Sequence, residues 1–159
     1  MASVYLETSF FGACVSTRTS PRSAGWRASS LEWWKSQRHR HDLFVSLEVV
    51  AELSAQDFTN REAALQMLRG LPMLDLTREV EDLAQFLVHE RVMPGPSISG
   101  DAMHVAVAVV HGMDFMLTWN VQHLANPNKR THLAVICMRL GVAPPTIVTP
   151  DMLWEVDDA

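Results

Sequence analysis
The stretch from Gly100 to Asn120, GDAMHVAVAVVHGMDFMLTWN, restricts the possible folds more than any other part of this chain. Ala102, Met103 and Val105 to Val110 make a helix that is apolar around most of its circumference, and such a helix persists in water only when nearly every face is covered. It is therefore expected at the centre of the molecule. At about 100° per residue, Asp101, His104, Ala108 and His111 fall on one narrow stripe, where the polar side chains line up. Asp101 sits in the first turn, where unpaired backbone N–H groups and the helix dipole favour a negative charge. Gly112 suits the left-handed position past a helix end, Met113-Asp114 turns the chain, and Phe115 to Trp119 reads as a buried strand. Asn120 is then the first residue beyond that strand. In a parallel sheet, residues just past the carboxyl ends of strands face the crevice where ligands bind, so Asp101 and Asn120 are candidates for one site.

The remaining chain alternates strand and helix signals. Val4-Tyr5-Leu6 is a β-branched and aromatic run that stops at Glu7-Thr8-Ser9, and Phe10 to Val15 reads as one helical turn. Ser16 to Ser23 reads as a loop, and Ala24 to Arg40 as an amphipathic helix carrying Trp26, Leu31, Trp33 and Trp34. Leu43 to Val45 forms a second strand with Ser46 as N-cap of the next helix, in which Glu48 and Glu52 share a face. Thr59 is expected to cap a helix running to Arg69, Met73 to Leu76 to form a third strand, and Thr77 to start a helix with Val80, Leu83, Ala84, Leu87 and Val88 at the helical period. A helix from about Lys129 to Leu140, a strand from Thr146 to Val148, and Thr149-Pro150 as N-cap and first helical residue complete the pattern. Such alternation predicts a single domain over residues 1–159, a three-layer α/β sandwich on a central parallel sheet of about five strands.

With 159 residues and 48% hydrophobic content a sizeable core can form. No basic segment followed by an apolar run opens the chain, and no run reaches the roughly 20 apolar residues that span a bilayer, so a soluble cytoplasmic protein without membrane attachment is expected. Cys14 and Cys137 form neither a CxxC pair nor a zinc framework and read as buried thiols. His39 and His41, at alternate positions near a helix end, cannot easily face one metal. Charge is unevenly spread: residues 18 to 41 hold six basic side chains (Arg18, Arg22, Arg27, Lys35, Arg38, Arg40) against Glu32, a balance of +5, leaving −10 elsewhere. That segment suits phosphate, with Arg18 and Arg22 as candidate substrate contacts, although a solvated helix face or a protein-docking surface has the same composition.

Glu7, Glu52, Asp101 and Asn120 are expected at strand ends or in first helical turns. Gathered in one crevice, unit charges about 5 Å apart at an effective dielectric near 20 repel by roughly 3 kcal/mol per pair. A hard divalent cation relieves that repulsion, and oxygen ligands without cysteine favour Mg²⁺ or Mn²⁺. Such an ion can hold a phosphate oxygen and activate water, which is metal-assisted phosphodiester hydrolysis. Acids at strand ends also serve as helix caps, so spacing by itself leaves both roles open. His104 is a candidate general base or a hydrogen-bonded core residue, His111 can satisfy the last carbonyls of its helix, and His123 on the rim can touch substrate.

Four motifs in order, Val-Tyr-Leu-Glu7-Thr8-Ser9, Ser46-Leu-Glu-Val-Val-Ala-Glu52-Leu, Asp101-Ala-Met-His104-Val-Ala and Leu117-Thr118-Trp-Asn120, resemble the PIN-domain nuclease pattern over nearly the whole chain, from Val4 to about Leu153. The nearest group is the VapC-type toxins of bacterial toxin–antitoxin pairs. The resemblance implies a ribonuclease that uses Mg²⁺ or Mn²⁺, an RNA substrate, a small antitoxin protein as partner, and a homodimer. It also implies that Asp101 and Glu52 are metal-site acids, that Glu7 stands where the family usually has Asp, and that Thr8 or Ser9 supplies a supporting hydroxyl. Two departures follow. Glu7 is longer by one methylene, and Asn120 replaces a further Asp, so the site has lost a charge although an amide oxygen can still ligate Mg²⁺ or orient water. The competing reading is a catalytically weakened PIN domain that binds RNA or protein. A nucleotide switch of similar topology lacks GxxxxGK[ST] and GxGxxG motifs.

Overall fold
The computed structural model describes residues 1–156. Its centre is an all-parallel sheet of β1 (Ala2–Leu6), β2 (His41–Ser46), β3 (Met73–Leu74), β4 (Phe115–Leu117) and β5 (Thr146–Val148), in the order β3-β2-β1-β4-β5. β1 aligns Val4 with Leu43 on one side and with Phe115 on the other. Between the strands lie α1 (Thr8–Val15), α2 (Pro21–Gln37), α3 (Leu47–Leu53), α4 (Arg61–Met67), α5 (Arg78–His89), α6 (Asp101–Val110) and α7 (Pro127–Leu140), followed by a short 3₁₀ turn at Pro150–Met152. Right-handed crossovers put α1 to α4 on one face and α5 to α7 on the other. The main helix contacts run within these groups: α1 packs on α2, α3 and α4, and α5 on α6. The result is the expected α/β sandwich.

Helix α6 is the central helix the sequence predicts, with every residue from Ala102 to Val109 buried. Several local expectations are adjusted. The helix after β1 spans two turns from Thr8 rather than one from Phe10, because Glu7 caps it by accepting the Ser9 N–H. Helix α2 begins at Pro21, where Ser20 caps the Ser23 N–H at 3.2 Å and Pro21 fills the first turn. Ser46 occupies the N-cap of α3 without a side-chain capping bond, since its hydroxyl is turned to Tyr5. Asn60 in the left-handed conformation (φ 61°), not Thr59, precedes α4, which ends at Met67. The third and fourth strands stop at Leu74 and Leu117, short of Leu76 and Trp119. Asn126 caps α7 two residues ahead of the expected start, accepting from the Asn128 N–H at 2.9 Å. His111 does close α6, its backbone N–H donating to the Val107 carbonyl at 3.1 Å, while its side-chain Nε2 lies 2.8 Å from the Asp75 carbonyl. Thr77 does cap α5, accepting from the Val80 N–H.

The Trp-bearing helix buries Trp33 completely, its Nε1–H donating to the Leu153 carbonyl at 2.7 Å. His41 stacks on Trp33 with ring centroids 5.7 Å apart. Cys14 and Cys137 are free and buried, and burial pushes the Cys14 thiol up to about 12. No helix among the described residues is long and apolar enough to cross a membrane.

Candidate active site
Chain order reverses in the sheet on either side of β1, where β2 and β4 flank it. At such a switch point the loops leave the two neighbouring strands in opposite directions and open a crevice at the carboxyl ends. Glu7 directly follows β1, Thr118 and Asn120 follow β4, Glu52 lies in the last turn of α3, and Asp101 opens α6.

Glu7 is almost fully buried, at 5% exposure. Its Oε2 accepts from the Ser9 N–H at 3.0 Å, from the Ser9 hydroxyl, and from the Thr118 hydroxyl at 2.7 Å. Three donors on one oxygen fix the carboxylate and leave Oε1 facing the crevice, 4.0 Å from His104 Nε2. Ser9 Oγ also receives the Trp119 N–H at 2.8 Å, and Thr118 Oγ1 the Asn120 N–H at 2.9 Å, so the start of α1 and the end of β4 are laced around Glu7.

Glu52 Oε1 accepts from the Thr8 hydroxyl at 2.7 Å and from His104 Nε2–H. The other ring nitrogen of His104 lies 2.6 Å from the Tyr5 hydroxyl, which lies 2.8 Å from Ser46 Oγ. His104 is wholly buried. Burial disfavours its cation, yet the Glu52 hydrogen bond and the charges of Glu7, Glu52 and Glu48 outweigh that and hold its pKa above the ordinary value. For Glu52 burial acts upward, and the bond and charge of His104 with the Thr8 hydroxyl bring it net below the usual range. Both directions have one cause, the hydrogen bond and the opposite charges of the Glu52–His104 pair. Burial likewise raises the Tyr5 hydroxyl well above its normal pKa.

Glu7, Glu52 and His104 each offer one ligand atom, all within 4.8 Å of one another, and this group could hold a metal ion. Two carboxylates with an imidazole are a donor set that first-row divalent ions accept. Asp101 stands beside the group rather than in it. Its Oδ1 accepts from Asn120 Nδ2 at 3.1 Å, and burial raises its pKa, against the charges of His104 and His123. Asn120 Oδ1 accepts from the His123 N–H at 3.0 Å. The backbone N–H of Gly100, just before Asp101, is held by Glu48 Oε1 at 2.7 Å.

The structure thus draws Glu7 and Ser9 into one hydrogen-bonded group and Thr8, Glu52 and His104 into another, the two meeting where Glu7 Oε1 lies 4.0 Å from His104 Nε2, with Asp101, Asn120 and His123 on the flank. Arg18 and Arg22 lie apart from it, both exposed, and Arg22 covers Trp26 at 4.5 Å from the ring centroid. Sequence reading passed over Tyr5, Ser46 and the role of Thr118. Tyr5 is an ordinary strand aromatic until the fold sets it against His104, and Ser46 looks like a cap. Thr118 carried a usable signal, a hydroxyl residue between a buried strand and Asn120.

The fold is that of the PIN domain, an α/β sandwich with its acidic crevice at the strand switch. Two solved structures are similar along nearly the whole chain. One is the crystal structure of VapBC2 from Rickettsia felis bound to a DNA fragment from their promoter, at 12% identity and a TM-score of 0.58, covering 92% of this chain and 98% of that one. The other is that of FitAcB from Neisseria gonorrhoeae, at 12% identity and 0.54, covering 94% and 99%. No protein-family model matches the sequence, and no curated protein aligns with it.

Proposed function
We propose that this protein is a divalent-metal-dependent ribonuclease, the toxin of a toxin–antitoxin pair. The observation that carries the reading is the convergence of Glu7 and Glu52, from elements 45 positions apart in the chain, on one buried imidazole. Glu7 and Glu52 would hold Mg²⁺ or Mn²⁺, with Asp101 next to them. The ion supplies a Lewis acid for the phosphate and a more acidic bound water. Ser9 and Thr118 fix the Glu7 carboxylate, Thr8 and His104 orient Glu52, and Asn120 steadies Asp101. The likeness to VapBC2 and FitAcB supports the toxin assignment and a small antitoxin as partner, and the family resemblance of the sequence adds a homodimer.

A second reading, a weakened PIN domain that binds RNA or protein without cutting, draws on Asn120, whose amide N–H is spent on Asp101 where a carboxylate would add negative charge. Incubation with single-stranded RNA and Mn²⁺, beside Asp101→Ala and an EDTA control, separates the two. Cleavage in the wild-type lane alone supports the nuclease. RNA binding without cleavage supports the second reading, and equal cleavage in all three lanes overturns the first.

A further inference from the structure
On the α5–α7 side of the crevice, a cavity of about 380 Å³ lies between the end of α5, the loop of residues 91–96, His123 and the first turn of α7. Its charged side chains are Arg91 and Lys129, and no carboxylate lines it among the described residues. Outside residues 18 to 41 the chain holds only seven Lys and Arg against 17 acids, so two cations on an acid-free wall run against the local balance. Neither pairs with a carboxylate among the described residues. Lys129 is half-buried and its Nζ donates to the Val92 carbonyl at 3.4 Å, a single long bond for an ammonium group that has three donors.

Arg91 is held there in an unfavourable backbone conformation. Helix α5 closes in a Schellman turn, with the Arg91 N–H donating to the Val88 carbonyl at 3.0 Å and the Val92 N–H to the Leu87 carbonyl at 2.9 Å. The turn puts Arg91 in the left-handed region, φ 58°, where glycine is the favoured residue. Gly95 comes so near the same helix that a Cβ on it would stand 2.3 Å from Val88 Cγ1, which seats the loop on α5. The cavity adjoins the acids through His123, whose backbone N–H donates to Asn120 Oδ1 at 3.0 Å while Asn120 Nδ2 donates to Asp101. An acidic crevice repels a polyanion unless cations beside it hold the chain. We propose that Arg91 and Lys129 form a subsite for a backbone phosphodiester of single-stranded RNA, next to the one that lies at the acids. It rests on the nuclease reading above and names how that site holds its substrate. A contact of this kind positions the strand without reading its bases.

The test separates binding from chemistry. A fluorescein-labelled single-stranded RNA decamer without a terminal phosphate is titrated in EDTA, by anisotropy, against wild type, Arg91→Gly, Lys129→Gln and Arg139→Gln, the last removing an exposed cation at the far end of α7. One phosphate contact on a single strand contributes about 0.7 to the slope of log affinity against log salt, which makes roughly a fivefold difference in affinity between about 1 M and about 0.1 M salt. Arg91→Gly and Lys129→Gln should each lower the slope by about that amount, on an all-uridine decamer and a mixed sequence alike, and Arg139→Gln should leave it unchanged. Thermal melts add a readout that a merely structural role would not give: Arg91→Gly relieves the left-handed position and should melt at or above wild type while binding RNA less well. Slopes of Arg91→Gly and Lys129→Gln equal to wild type overturn the proposal, as does an equal fall in Arg139→Gln or a wild type that binds no RNA. If an oligoglutamate peptide, and not RNA, loses affinity in the two variants, the cavity docks an acidic protein and the proposal falls. Lowered slopes in a protein that cuts no RNA leave the phosphate subsite standing and remove the nuclease, whereas unaltered slopes in an active nuclease remove only the subsite.

Discussion
Replacing His104 with Gln tests whether the imidazolium is the charge that lets Glu7 and Glu52 share one crevice. Their ligand oxygens lie within 4.8 Å, and at an effective dielectric near 20 two unit charges at that separation repel by about 3.5 kcal/mol. The Glu52 side chain is 37% exposed, so solvent screening reduces the felt repulsion to about 1–3 kcal/mol. Glutamine can still meet the Tyr5 hydroxyl but brings no charge. In EDTA, His104→Gln should therefore lose about 2 kcal/mol, a drop in Tm of roughly 4–8 °C for a chain of this size. Mn²⁺ at about 100 times its dissociation constant adds about 2.7 kcal/mol to any form that binds it. At one fixed Mn²⁺ concentration the variant, whose crevice lacks a competing positive charge, should bind the ion more tightly and gain more than wild type, so the gap between them should narrow. Urea denaturation with and without Mn²⁺ reads both quantities. A gap of the same size in both conditions would refute the reasoning, because His104 would then contribute packing alone.

Asn120→Asp should bind Mg²⁺ more tightly than wild type in titration calorimetry, because it sets a second carboxylate where Asn120 now donates to Asp101 at 3.1 Å; equal affinities would take Asn120 out of the site. His41 is buried, neither ring nitrogen is hydrogen-bonded among the described residues, and burial, with the charges of Arg40 and the N-terminus against that of Glu155, lowers its pKa below 6.5. A lowered folded pKa contributes stability that is present above the unfolded value and is lost as pH falls through the folded one. His41→Phe should thus match or exceed wild type at pH 7 and gain on it toward pH 5 in urea melts, and a constant difference across that range would contradict the assignment. Trp33→Ala, which empties a fully buried site and frees the Leu153 carbonyl, should cost about 3–5 kcal/mol in the same melts, and a loss below 1 kcal/mol would show that the C-terminal segment does not depend on it.

Much of this architecture was legible because each local signal agreed with its neighbours. The apolar run of α6 could be stable only if covered, and the β-branched and aromatic run from Val4 to Leu6 reads as a strand. Where prediction slipped, a side chain had a distant partner that a sequence window does not contain. Ser46 has the composition of an N-cap, but Tyr5, 41 positions earlier, takes its hydroxyl. His104 could be weighed as a base or as a core residue, and its place between Tyr5 and Glu52 depends on three separate elements meeting. The Trp26–Trp119 stack joins residues 93 positions apart, and no periodicity encodes it. Asp101 and Asn120 were paired from their positions at a helix start and a strand end, and the fold does bring their side chains to 3.1 Å.

The most direct measurement is anomalous diffraction from crystals grown with Mn²⁺. The account predicts one strong peak within coordination distance of both Glu7 and Glu52, lost in Glu7→Gln. No peak in that crevice, or a peak elsewhere on the molecule that survives the substitution, would contradict it.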